Sequence, residues 1–286
     1  MLDGPFDLCR PLVVSAPTVD KIIYMDGRME ERLGGPLLHT AWLASAYQVS
    51  TLTSLGVLHK EDLEYFRREI EGRGGKARLA AVEENTAKVV LDYTGVSRRV
   101  FFESTPPRIR GDHLLEAIEE DNPMLVFLSP VYDELPVDLA LEAAKKVQWS
   151  ILDLQGYLRS MPPGDALSIM PRRSFDVVHL SDDDLPRREF DYLIDDVASV
   201  SRHSVIYTMG AEGAVLLDSE GNPRLRAKPS QDYVGSEGVG GGDVFSLSYG
   251  LFLCSTWEPR KAFIEALLTS SYYVLKGPRP PRYSRG

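Results

Sequence analysis

The chain has 286 residues, 43% of them hydrophobic, and a formal net charge of −10. That length supports one large α/β domain with a sizeable core, while the acidic balance argues against a general nucleic-acid surface. No stretch reads as a membrane span, MLDGPFDLCR lacks the basic-then-apolar pattern of a signal peptide, and Cys9 and Cys254 have no CxxC partner, so a cytoplasmic protein with two reduced thiols is expected.

In chain order, PLVVSAP (11–17) and KIIYM (21–25) read as strands. LLHTAWLASAYQ (37–48) reads as a helix, STLTSLG (50–56) as a strand, and EDLEYFRREIEG (61–72) as an amphipathic helix with Leu63, Phe66 and Ile70 on one face. Residues 77–103 change character: ARLAAV, AKVVLDY and RRVFFE are short β-rich runs parted by turns such as YTGVS. From residue 112 helices and apolar strands alternate: DHLLEAIEED with MLVFLSP, PVDLALEAAKKV with WSILDLQG, and REFDYLIDDVASVSRH between DVVHLS and SVIYTMG. That alternation is the signature of a parallel sheet covered on both faces. EPRKAFIEALLTSSYYVLKG reads as a last helix ending at Gly277, and PRPPRYSRG as a loose basic tail. The expectation is one doubly wound, mostly parallel α/β domain over 1–286, with lid segments near 17–33 and 77–103.

The chain lacks GxxxxGK[ST], GxSxG and HExxH, and Gly72, Gly74 and Ala77 follow a helix rather than a strand, the wrong context for a dinucleotide fingerprint. Its most distinctive run is GSEGVGGGDVF (235–245), with five glycines in eight residues before Asp243 and then an apolar stretch. Glycines at a helix start let unpaired N–H groups approach an anion. Asp243 there has two readings, a helix cap or a base that takes a proton from an attacking hydroxyl.

GGGDVF resembles the glycine-alanine-glycine-aspartate signature of the ribokinase-like (PfkB-type) carbohydrate kinases, with Gly241 in place of alanine. Five further stretches resemble that family in order: VVSAPTVD (13–20), LGGPLLHTAWLASAYQVSTLTSLG (33–56), NTAKVVLDYTGVSRRVFF (85–102), LSDDDL (180–185) and TMGAEGAVL (208–216). SILDLQGYLR (150–159), with Asp153, Gln155 and Arg159, resembles the myo-inositol kinase branch.

The resemblance implies an ATP- and Mg²⁺-dependent kinase acting on a hydroxyl of a sugar or cyclic polyol such as myo-inositol. Asp243 would be the base, and Gly240, Gly241 and Gly242 would form the anion hole. Asp20, Gly34, Gly35, His39, Gln155 and Arg159 would hold the acceptor. Ser181, Thr208, Gly210 and Gly213 would line the nucleotide, and Asp184 would arrange the metal's waters. His39 could equally be a core histidine, and Arg159 could pair with Asp153. Glu237 and Gly238 replace an aspartate-threonine pair that helps bind a monovalent cation, which leaves potassium dependence open. A nucleoside kinase and a non-catalytic ligand-binding protein are the alternatives. The protein is expected to be a monomer or a homodimer through the lid.

Overall fold

The computed structural model describes residues 6–95, 99–229 and 239–283. Nine strands form the main sheet, in the order β13-β12-β11-β10-β9-β8-β1-β4-β5. They are β1 (Pro11–Val14), β4 (Thr53–His59), β5 (Lys76–Val82), β8 (Leu125–Leu128), β9 (Trp149–Asp153), β10 (Phe175–Ser181), β11 (Ser201–Thr208), β12 (Ala214–Asp218) and β13 (Pro223–Ala227). Pairing is parallel from β5 to β11 and antiparallel from β11 to β13.

Alternation along each strand explains the apolar runs. Val13, Phe127, Ile151 and Val177 face one helical layer: α1 (Pro36–Ala46), α2 (Leu63–Gly72), α8 (Gly241–Thr256) and α9 (Pro259–Lys276). Leu12, Val14, Val126, Leu152 and Val178 face the other: α3 (Gly111–Asp121), α4 (Val137–Lys145), α5 (Gln155–Ser160), α6 (Pro163–Ser168) and α7 (Arg187–Val200). A strand buried on both faces has no polar side to show, so its period is lost. Residues 33–59 contain no Asp, Glu, Lys or Arg, yet they divide into α1 and β4. Among the described residues no helix is long and apolar enough to cross a membrane.

A second sheet, in the order β3-β2-β6-β7, forms a small lid. Its strands are β2 (Thr18–Ile23), β3 (Met29–Gly34), β6 (Ala87–Asp92) and β7 (Arg99–Ser104). Ile22, Val89 and Leu91 make its small core, with Val100 and Phe102 packed against them. The segment 77–103 therefore divides: β5 belongs to the main sheet, and only the strands from Ala87 onward belong to the lid. β5 lies beside β4 because α2 makes a crossover between them, a connection parallel pairing requires.

Two expectations are corrected. Cys9 and Cys254 form a disulfide, with Cα atoms 6.1 Å apart. The turn Asp7–Cys9 packs beside the C-terminal part of α8, a proximity that 245 residues of separation hide from the sequence. The basic tail is docked rather than loose up to Tyr283. Leu33 N–H donates to the Pro281 carbonyl (3.0 Å) and Tyr283 N–H to the Glu31 carbonyl (2.9 Å), so the tail lines the outer edge of β3. The Tyr283 hydroxyl donates to Oδ1 of buried Asp62 (2.6 Å), just before α2. Asp62 also accepts from Thr86 at the start of the return into the lid (2.6 Å).

Candidate active site

α8 begins at the glycine run because the chain needs a left-handed residue there. Gly240 has φ +77°, and a Cβ on it would lie 2.2 Å from Cγ of His39. Both conformation and space thus demand glycine. The first N–H groups of α8 have no intrahelical partner and face a cleft with a partial positive charge. A Cβ on Gly241 would sit 3.0 Å from Cγ2 of Val274, a tight contact that the end of that side chain must give way to by a few tenths of an ångström.

Asp243, in the first turn of α8, borders two clefts. The larger, about 200 Å³, is also lined by the glycine run, Ser181, Thr208, Gly210, Gly213 and Asp184. All four residues expected near a nucleotide thus share a cleft with the glycines. The smaller, about 90 Å³, lies beneath the lid and is lined by Asp20, Gly35, His39, Gln155 and Arg159, with Val89, Leu91 and Val100 as its lid wall. Gln155, Arg159, Gly240 and Asp243 belong to both clefts. Burial pushes the Asp243 carboxyl up to about 7, and the neighbouring Asp153 carboxylate pushes the same way. His179, Arg159 and a Ser129 hydroxyl (3.4 Å) oppose them.

On the lid side, Asp20 is only 7% exposed. Its Oδ1 accepts from the Thr18 hydroxyl (2.6 Å), and its carboxylate lies directly over Gly34, where a Cβ would come within 2.1 Å of Oδ2. Gly34 is therefore the seat of Asp20 rather than a cleft wall. His39 Nδ1 lies 2.7 Å from the Tyr273 hydroxyl, and burial, with Arg73 assisting, lowers its pKa to about 3. This neutral ring packs on Gly240 and reaches the lid-side cleft as well, so its core and cleft readings both apply.

The 150–159 stretch is rearranged relative to expectation. Asp153 ends β9, while Gln155 and Arg159 lie on α5. Arg159 pairs with Asp184 (Nε to Oδ1, 2.8 Å), not with Asp153, and the Ser181 hydroxyl donates to Asp184 Oδ2 (2.7 Å). Gln155 Nε2 donates to Ser129 Oγ (2.9 Å), extending the chain of contacts to Asp243.

Three contributors carry no sequence signal of their own. Ser129 follows β8 and reaches Asp243 only through the fold. Glu134 is fully buried, and its carboxylate accepts from Ala16 N (3.1 Å), Val131 N (2.8 Å) and Tyr132 N (2.9 Å), locking the ends of β1 and β8 together. His179, in β10, bonds to Asp153 Oδ2 (2.9 Å). Asp176, His179 and Ser181 interrupt the apolar run of that strand at irregular spacing, so nothing in the sequence singles His179 out.

Among the described residues, no group of three or more His, Cys, Asp or Glu could hold a metal by itself. Asp184 is already engaged by Arg159 and Ser181. The donor set fits a Mg²⁺ that keeps its waters and arrives on phosphates, with Asp182, Asp183 and Asp184 on the rim of the larger cleft. Glu237 and Gly238 lie outside the described residues, and the cation question with them.

No protein-family model matches the chain, and a search of curated proteins finds no match. Solved structures do match. A pyrophosphate-dependent kinase in the ribokinase family, complexed with a pyrophosphate analogue and myo-inositol, superposes with TM-score 0.75 at 17% identity, covering 94% of this chain and 96% of that one. Adenosine kinase from Schistosoma mansoni, in complex with 2-fluoroadenosine, gives TM-score 0.74 at 11% identity over 96% and 97%. Arabidopsis thaliana ribokinase, complexed with ribose and ATP, gives 0.65 at 16% identity over 96% and 93%. The chain therefore has the ribokinase-like fold: a mostly parallel sheet between helical layers, with a small second sheet.

Proposed function

We propose that this protein is a small-molecule kinase that transfers a terminal phosphoryl group to a hydroxyl of a sugar or cyclic polyol. The observation that carries this reading is the position of Asp243. Its carboxylate sits in the first turn of α8, between the glycine-walled cleft and the cleft beneath the lid. With its pKa raised to about 7 it is matched to accepting a proton near neutrality.

The donor's phosphates would lie against the N–H groups at the start of α8, and those groups are in place before charge develops on the transferring phosphoryl. The acceptor would lie beneath Val89, Leu91 and Val100, its hydroxyls held by Asp20 and Gln155. Asp243 takes the proton from the attacking hydroxyl as the new O–P bond forms and the donor's terminal bridging bond breaks. Arg159, facing both clefts, would offer guanidinium N–H groups to oxygens on either side. Bound Mg²⁺ would neutralise part of the phosphate charge, with Asp184 facing its waters.

A polyol is favoured over a nucleoside. The smaller cleft is walled on the lid side by aliphatic residues, and apart from His39 no aromatic ring lines it among the described residues. The SILDLQGYLR stretch and the fold shared with a kinase solved with myo-inositol point the same way. ATP is the proposed donor, favoured by the structural neighbour solved with ribose and ATP, and the larger cleft, about 200 Å³, extends from the glycine run to small residues (Ala211, Ser270, Ser271). Pyrophosphate is the second reading, favoured by the pyrophosphate-dependent structural neighbour. A pairing of two lids would use the β7 edge, since the tail covers β3.

The test is phosphoryl transfer from ATP and from pyrophosphate to inositols, hexoses, pentoses and nucleosides. Product with an inositol or sugar is expected. A preference for nucleosides would replace the polyol assignment, and folded protein without transfer from either donor would leave a ligand-binding protein.

A further inference from the structure

His179 is 2% exposed at the floor of the larger cleft. Its Nδ1 lies 2.9 Å from Asp153 Oδ2 and its Nε2 lies 3.2 Å from Thr208 Oγ1. A carboxylate only accepts, so Nδ1 carries a hydrogen. The Thr208 hydroxyl lies 3.2 Å from Nε2 and 3.5 Å from the Leu180 carbonyl, so its oxygen can accept from Nε2 while its hydrogen turns to that carbonyl. This arrangement gives each N–H of an imidazolium an acceptor, Asp153 on one side and Thr208 on the other. The ring also touches the glycine run from below: a Cβ on Gly242 would lie 3.4 Å from His179 Cε1.

We propose that His179 is a fixed cation beneath the anion hole, an electrostatic positioning residue that steadies phosphoryl oxygens gathered at Gly241–Asp243. The proposal rests on the kinase reading for its purpose but not for its charge state. The groups that face the ring are Asp153 at the end of β9, Asp243 and Gly242 in α8, Thr208 at the end of β11, and Asp184 beyond β10, with Arg159 of α5 bordering the same cleft. Three carboxylates thus surround a site meant for an anion. A neutral ring would leave Arg159 as the remaining cation acting on Asp243 against Asp153, which would raise the proton affinity of Asp243 further. Burial, the strongest single influence, would by itself discharge His179, but the Asp153, Asp243 and Asp184 carboxylates together outweigh it and hold the imidazole above its ordinary value. The same pair divides two tasks. Asp153 raises the proton affinity of Asp243 and His179 restrains it, so the base stays poised instead of being protonated outright.

The experiment is a nitrogen and carbon NMR titration of the full-length protein labelled at histidine, with His179→Gln assigning the resonance among five histidines. The expected result is an imidazolium pattern that persists from about pH 6 to about pH 8, the range in which an ordinary histidine loses its charge. In Asp153→Asn the ring should become neutral by about pH 7, and this second variant serves if the glutamine variant fails to fold. A neutral His179 ring at pH 7 in the unaltered protein overturns the proposal. A pH–rate comparison reads the consequence. His179→Gln should lower plateau kcat on the order of tenfold to a hundredfold and move the acid limb of kcat/KM upward by roughly one unit. An acid limb that stays put or moves down also overturns it. If no acceptor is turned over, the kinase reading fails, and the titration still decides the charge on His179.

Discussion

The floor of the site and its lid are built on opposite principles. The floor is set by exclusion: Gly240 lies so close to His39 that no side chain fits. The lid is set by attachment: its sheet has a small apolar core and is tied down at its rim by Asp62, Thr86 and Tyr283. A floor made by steric contact has one position, because packed interiors give little. A lid held by a few exchangeable hydrogen bonds can be loosened by degrees. That division suits a reaction needing fixed phosphates and an acceptor that must enter and leave.

The comparison can be broken first at the floor. Asp243→Asn should cut turnover by at least about a hundredfold while acceptor still binds by calorimetry; retained turnover would remove Asp243 from the mechanism. Gly240→Ala and Gly241→Ala should separate sharply. The first needs a left-handed alanine and collides with His39, and should lose on the order of 1–3 kcal/mol of stability together with most activity. The second asks only that Val274 shift by a few tenths of an ångström and should melt near the unaltered protein. Equal melting temperatures for the two would contradict the contact geometry.

The pH profile is the next smaller effect. A base with its pKa raised to about 7 is protonated, and inactive, below that value. Activity should therefore rise with pH and level off above about 7, falling about tenfold per unit on the acid side. A limb near the ordinary carboxylate range would mean that the neighbours of Asp243 do not shield it in solution. The smallest effect belongs to the lid. Tyr283→Phe removes one hydrogen bond to buried Asp62, worth about 1 kcal/mol. Its expected reading is a severalfold higher acceptor KM with kcat nearly unchanged; a loss of kcat instead would mean the strap acts on the floor.

Much of this was legible before the fold. The alternation of helices with short apolar strands after residue 112 is a local pattern with a local cause, and it predicted the parallel sheet. The glycine run before Asp243 could be read because a helix N-terminus that must admit an anion has few residue choices. The lid was read less well: β5 has the composition of a lid strand but pairs with β4, and β3, rich in charged residues, fell within the expected lid segment near 17–33 without reading as a strand of its own.

Pairing across long separations was not legible. The Cys9–Cys254 disulfide, the Arg159–Asp184 bond and the seating of the tail on β3 join residues whose spacing in the chain carries no information about their distance. What the sequence by itself determined is the kind of layered sheet and the chemistry offered at the start of α8, because periodicity and glycine placement act within a few residues. Only the tertiary structure decided which carboxylate faces which cation, and so that Asp243 stands beside Asp153, His179 and Arg159 with its proton affinity near neutrality. Charges interact through space, and their distances exist only once the sheet has brought the ends of β9, β10 and β11 together beneath α8.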